Sequence, residues 1–308
     1  MIPAVTQTDN PRAVFLMLGA MAAFAVEDLF LKRAAMVLPP GQVVAMLGAA
    51  GAMIYWVIAV LNRQPILTTE ALRGAALIRA LSEAGSTMLY VPALALIPLT
   101  MNSALLQASP LVVTLGAAFF LGETVGWRRW SAILVGFVGV LIVLQPWNAA
   151  EFHPAGLLTV ACVLVLAARD LSTRAMPARI GTFQLATWAY MALVPAGLTL
   201  MAIMRDAPAP VPRVLWLDLG AALIMGLFGY FGVTLAMRLG EVAVVAPYRY
   251  ARLVFAALIA MVFLGERPGL WTWVGSGLII GSGLYTFARA RRLRARSAAA
   301  QNSPPAVD

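Results

Sequence analysis

Phe120-Leu121-Gly122-Glu123 and Phe263-Leu264-Gly265-Glu266 carry the same four residues at an offset of 143. Each quartet closes an apolar run of helix length, and Trp130 and Trp273 follow at the same offset. A second match lies nearer the start of each half, EDLFLK at 27–32 against RDLSTR at 169–174. Its offset of 142 aligns Asp28 with Asp170, Leu29 with Leu171 and Lys32 with Arg174. Two polar-anchored matches whose registers agree within one residue read as one structural unit written twice.

Composition says where such a unit lives. The chain has 308 residues, 62% of them hydrophobic and 11% charged, and a mean hydropathy of +0.87. Soluble domains carry about 25% charged residues, so this chain cannot coat a water-facing surface. A spanning helix needs about 20 apolar residues. Ten such runs can be marked, at 13–33, 42–61, 75–97, 100–121, 127–145, 154–174, 183–204, 215–236, 242–264 and 271–288. They are continuous rather than alternating, which excludes an outer-membrane barrel. The expected fold class is therefore an all-α polytopic membrane protein. Its short connections leave no room for an extramembrane domain, and the polar tails at 1–12 and 289–308 are expected to lie outside the bilayer, the second of them disordered.

The one cysteine, Cys162, excludes an intramolecular disulfide and a cysteine metal site, and reads as a packing residue. The first run carries Glu27, Asp28, Lys32 and Arg33 and lacks a small-residue cleavage site, so it reads as a true span rather than a signal peptide. A net charge of +9 would suggest nucleic acid in a soluble protein. Here Arg289, Arg291, Arg292, Arg294 and Arg296 cluster just after the last run, which reads as an orientation signal instead. Thirteen of the 22 Lys and Arg fall on the face holding both termini and five on the other, so both termini are expected in the cytoplasm.

Each half holds five spans, an odd number, so the second half enters the membrane from the opposite side. The expected architecture is two inverted five-helix repeats, 13–145 and 154–288, a design that gives two near-equivalent conformations, one open to each side.

At these residues the sequence resembles the drug/metabolite transporter superfamily, in particular the ten-helix EamA-type proteins of bacteria. The resemblance rests on AFAVEDLFLK in the first span, ALALIPLTMNSALLQASPLVVTLGAAFFLGE across the third and fourth, and VVAPYRYARLVFAALIAMVFLGERP in the ninth. It implies two EamA units facing each other around a central cavity in the inner membrane. It also implies transport of small organic metabolites such as amino acids, nucleotide-like compounds and vitamins, often as export. The motif specifies fold far better than substrate.

Charges inside spans cost about 2.5–3.5 kcal/mol each on insertion scales, so each needs a partner, water or a function. Glu27 and Asp28 in the first span and Arg169 and Asp170 in the sixth fall near opposite faces and read as gates or proton carriers. Arg79 and Glu83 stand four residues apart on one helix face, either as a self-contained ion pair or as part of an inner polar cluster with Arg169, Asp170, Arg249 and Tyr230. Arg252 is the most central cation, with Tyr248 four residues before it. It is a candidate anchor for a substrate carboxylate or phosphate, or a structural partner for Glu83 or Asp170. Gln107 is a lining candidate, whereas Asn102 and Ser103 suit a helix cap. Tyr90 and either Trp188 or Tyr190 are candidate stacking surfaces, or else anchors at the membrane interface. Glu123 and Glu266 read as structural carboxylates paired with Arg128 and Arg267. Gly277 and Gly281 read as a small-residue face for close helix packing within the chain or in a homodimer. Nothing suggests a nucleophile triad, a metal cluster, a phosphate loop or a cofactor.

The leading function is thus a secondary transporter of an anionic or zwitterionic, amino-acid-like or vitamin-like metabolite. A flippase for a lipid-linked substrate in the same fold is the alternative, and an intramembrane enzyme is a poor third.

Overall fold

The computed structural model describes residues 9–66, 68–120, 126–174, 176 and 180–301, and among these no strand occurs. The first half holds α1 (Asn10–Ala35), α2 (Pro40–Leu61), α3 (Gly74–Leu96), α4 (Leu99–Leu106), α5 (Ser109–Phe120) and α6 (Trp127–Leu144). The second holds α7 (Gly156–Arg174), α8 (Thr182–Met204), α9 (Arg213–Leu239), α10 (Val242–Val245), α11 (Ala251–Phe263) and α12 (Leu270–Gln301). Eight segments are long and apolar enough to cross a membrane, counting α4 with α5 and the stretch Ala246–Phe263 as one each. The other two long helices fall short for readable reasons: α3 carries Arg79 and Glu83, and α12 is rich in Gly and Ser. The outer surface is apolar, with Phe15, Leu61, Phe120, Leu217 and Val262 all exposed.

Local chemistry sets the boundaries. Asp9 caps α1 by accepting from the Arg12 N–H at 3.2 Å, with Pro11 in the first turn. Proline breaks the fourth and ninth runs. Pro110 follows a turn at Gln107-Ala108 between α4 and α5, and Pro247 sits in a 3-10 turn over Ala246–Tyr250 ahead of α11. The sequence reading made each a single uninterrupted span. It also expected a disordered tail from 289, but the helix continues to Gln301, because no Gly or Pro interrupts the Arg, Ala and Leu between Gly283 and Pro304.

The helices pair across the two halves. α1 lies along α9, α2 along α8, α3 along α7 and α6 along α12. Exchanging the halves by the alignment of Asp28 with Asp170 turns the α1–α9 pair into α7–α3. It returns α2–α8 and α6–α12 onto themselves. Both self-paired contacts pivot on glycine. A Cβ on Gly139 would lie 2.8 Å from the Gly275 carbonyl oxygen, and one on Gly41 2.5 Å from that of Gly197. The backbones therefore approach as only glycine allows. Gly277 and Gly281, expected to supply close packing, have open space around them, so within the chain that role falls to Gly275.

Hydrogen bonds define two ends of the bundle. At the end carrying the N-terminus, Asp9 N–H donates to Leu239 O, Glu241 N–H to Asn10 Oδ1, and Gln184 N–H to Gln64 Oε1. At the opposite end Lys32 Nζ donates to the Leu94 and Ile97 carbonyls that end α3, at 2.9 and 2.5 Å. Gln42 clasps the Ala209 backbone through both its N–H and its carbonyl, at 2.7 and 2.8 Å. Arg33 pairs with Asp218 at 3.3 Å. Glu266 accepts from Leu99 N–H at 2.6 Å and from Thr100 N–H and Oγ1 at 3.1 and 3.0 Å, so it caps α4 from the other half. This corrects the expected Glu266–Arg267 pair: a carboxylate gains more from two unsatisfied helix N–H groups than from an exposed neighbour. Glu123 lies outside the described residues.

Candidate functional site

A cavity of about 910 Å³ runs between the halves. Its lining reaches the N-terminal end of the bundle, where Thr182 opens α8, Asp170 and Thr173 end α7, and Met237 nears the end of α9. On the opposite side the lining stops near Leu31, Val44, Tyr90 and Leu193, short of the polar ties described above.

Two charged clusters stand in its wall. In the first, Arg252 of α11 grips Asp28 of α1, Nη2 reaching both carboxylate oxygens at 2.8 Å and Nε reaching Oδ2 at 3.2 Å. Tyr90 OH of α3 donates to Asp28 Oδ1 at 2.5 Å. The guanidinium lies 5.1 Å from the centroid of the Phe24 ring and 6.0 Å from that of Tyr90. Asp28 is 1% exposed and fully engaged, whereas Arg252 keeps one edge toward the cavity.

In the second, Arg169 of α7 bonds Asp170 Oδ1 through Nε and Nη2 at 3.0 and 2.9 Å and reaches Glu83 of α3 at 3.2 Å. Arg79 stands 3.8 Å from Glu83, and donates to Thr173 Oγ1 and Tyr230 OH at 3.0 Å each. The inner cluster expected from depth, Arg169 and Asp170 with Arg79, Glu83 and Tyr230, therefore forms, whereas Arg249, expected beside them, makes no ion pair within 4.0 Å among the described residues. The closer partner of Glu83 is across the helix interface rather than along its own helix.

Tyr230 also carries an aromatic wall. Tyr55 packs edge-on to it at 6.0 Å between centroids and tilted against Tyr190 at 5.4 Å, while its hydroxyl donates to Leu227 O at 3.2 Å. Tyr190, Tyr230 and Tyr90 line the cavity. So do Gln107, whose Nε2 donates to the Arg249 carbonyl at 3.4 Å, and Glu27, whose carboxylate lies directly over Gly226 of α9.

Two expected site residues lie elsewhere. Tyr248 is 40% exposed and is absent from the lining; Tyr250 lines the cavity instead, its hydroxyl over Gly283. The 3-10 turn advances 120° per residue rather than 100°, so an i−4 partner on a regular helix points elsewhere here. Arg252 accordingly finds its aromatic neighbours on α1 and α3. Trp188 is buried beside Ala59 and Ile66, and its indole N–H donates to Ile66 O at 2.8 Å. An indole already satisfied inside a packed layer is not a stacking face. The neighbouring candidate, Tyr190, is the one in the cavity wall. Asn102 accepts from Thr159 inside α4 rather than capping it, and Cys162 is buried as expected.

A helical bundle with an apolar exterior and an internal cavity lined by ion pairs is the architecture of a multi-pass membrane protein. The chain belongs to the EamA-like transporter family, which matches residues 11–145 and again 153–288. It is 34% identical over 198 residues to a riboflavin transporter of Rhizobium johnstonii, a match spanning 64% of each chain and so under two thirds of that relative. It is 28% identical over 238 residues to a riboflavin transporter of Vibrio cholerae, covering 74% of this chain and 79% of that one. It is 26% identical over 274 residues to the pseudopaline exporter CntI of Pseudomonas aeruginosa, covering 87% and 93%. S-adenosylmethionine uptake transporters also match, that of Rickettsia bellii at 29% identity over 62% of this chain and 65% of that one. A protein crystal structure shares the fold, with a TM-score of 0.64 at 20% identity over 92% of this chain and 99% of the other.

Proposed function

We propose that this chain is a secondary transporter that moves a small organic metabolite, anionic or zwitterionic, across the inner membrane by alternating access, in the direction of export. In this reading α3 and α12 join the eight apolar segments to make ten spans. Residues 13–145 and 154–288 are two inverted units, and both termini lie in the cytoplasm.

The supporting observation is the cavity's one-sidedness. Its lining reaches the N-terminal end of the bundle at Ile180, Thr182 and Met237 but stops short of the other end, where Gln42, Arg33 and Glu266 tie the two halves together. A cavity open toward the cytoplasm loads a cytoplasmic solute, and breaking those ties would open the far side. Arg249, Arg252, Gln107, Tyr90 and Tyr230 are proposed to meet the solute. Glu27, Asp28, Arg79, Glu83, Arg169 and Asp170 are proposed to couple its passage to charge rearrangement or proton movement. The relatives' names support a vitamin-like or zwitterionic substrate.

Proteoliposome flux tests this reading, with radiolabelled riboflavin and S-adenosylmethionine as probes, loaded on either side of the protein. Carrier-dependent movement of either probe that saturates with concentration, and is lost when the cavity is blocked by Gly226→Trp, is the expected result. Movement only when the probe starts on the side away from the termini would replace export by uptake. No movement of either probe beyond empty liposomes would count against this substrate class.

A further inference from the structure

Six of the charged side chains lining the cavity neutralise one another: Asp28 with Arg252, and Arg79, Glu83, Arg169 and Asp170 as a second set. Their charges sum to zero. Glu27 and Arg249 line the same cavity, and among the described residues neither has an opposite charge within 4.0 Å. Arg129, also in the lining, stands two residues past the start of α6 at the N-terminal rim rather than inside.

A glycine makes room for the first, and a hydrogen-bonded backbone positions the second. Glu27 reaches α9 only because residue 226 has no side chain, since a Cβ there would collide with the Glu27 carboxylate. Its neighbour Asp28 is already committed to Arg252. Arg249 sits in the 3-10 turn, with Pro247 two residues before it and its carbonyl fixed by Gln107. In the same cavity Tyr230 stands one helical turn beyond Gly226 on the same face of α9, continuing into the wall of Tyr55 and Tyr190.

From this arrangement we propose that the cavity is a dipolar subsite for a zwitterion, with Arg249 taking the carboxylate or other anionic end and Glu27 the ammonium or sulfonium end. The flat body of the solute lies along Tyr230 and Tyr190. The inference rests on the transporter reading and narrows its substrate class. Water excluded on binding leaves both side chains to be matched by the solute. A simple anion would answer Arg249 and leave Glu27 without a cation. A simple cation would do the reverse, and a neutral heterocycle would leave both unanswered. Only a molecule with separated opposite charges satisfies the two together.

A matched series of tryptophan compounds tests this, bound to the purified full-length protein in detergent and read by calorimetry: tryptophan, its methyl ester and N-acetyltryptophan, with S-adenosylmethionine and riboflavin alongside. The wild type should bind the two zwitterions at least about tenfold more tightly than either charge-deleted derivative. Arg249→Gln should erase discrimination against the methyl ester, and Glu27→Gln discrimination against N-acetyltryptophan, with size-exclusion profiles showing both variants folded. The proposal is overturned if the derivatives bind as well as the zwitterions, if riboflavin alone binds, if no zwitterion binds, or if discrimination survives in both folded variants. Tight zwitterion binding without flux of any compound in proteoliposomes would instead leave the subsite standing and remove the transporter reading.

Discussion

Arg252 and Asp28 meet across the junction of the two halves, the guanidinium from α11 and the carboxylate from α1, with Tyr90 completing the shell on the carboxylate. Neither partner is chosen by its own helix. Asp28 is 1% exposed, so its charge survives there only because three donors from two other helices converge on it.

Asp28→Asn should therefore lower stability by about 3 kcal/mol, because it strands a guanidinium in a buried wall. Asp28→Asn combined with Arg252→Gln should cost less than the sum of the two single changes. A double-mutant cycle on the melting of the purified protein measures this, and strict additivity would show that the pair is not energetically coupled.

Glu266 is a cap supplied in trans. Replacing it with Gln keeps one acceptor but loses the charge at the start of α4, a cost of about 1 kcal/mol. The same change should loosen the end of the bundle away from the termini. Thiol labelling of Leu99→Cys, in a background with Cys162→Ala, should be faster with Glu266→Gln than without it.

Trp188 and Tyr190 separate structure from binding. Trp188→Phe removes the donation to Ile66 O and part of the ring volume from a buried layer, and should lower stability by about 2 kcal/mol without altering solute affinity. Tyr190→Ala should weaken solute binding in the calorimetric series. An affinity change in Trp188→Phe as large as that in Tyr190→Ala would put the indole back in the site.

The glycines give a contrast within one helix. Gly275→Leu drives side-chain atoms into the Gly139 carbonyl and should cost about 3 kcal/mol or prevent folding. Gly277→Ala, two residues on, meets open space and should be neutral or slightly stabilising. Comparing melting temperatures and expression of the two variants decides between these outcomes.

Much of this was legible in the sequence because it is periodic or costly. Apolar runs of helix length mark the spans, and an ionised residue inside one stands out; the inner cluster of Arg79, Glu83 and Tyr230 could be placed by depth alone. The misreadings share a cause. Tyr248, the unbroken fourth and ninth runs and the Glu266–Arg267 pair all assumed a regular helix and a nearby partner. Pro110 and Pro247 carry the signal for the breaks, and the rotated face beyond Pro247 follows from its 3-10 turn. The partner of Arg252 was not legible, since it lies 224 residues away and only the folded junction brings it near. Trp188 looked like a free aromatic because a buried carbonyl acceptor leaves no trace in the sequence around it.

The glycine contacts at Gly41–Gly197 and Gly139–Gly275 have a mechanical meaning. Each belongs to a helix pair that maps onto itself when the halves are exchanged. Whatever change converts one half's arrangement into the other's need not unmake either contact. In the proposed alternating-access cycle they would serve as two bearings on which the halves rock, so the work of a stroke would fall on the polar ties at the ends while the axle itself stays packed.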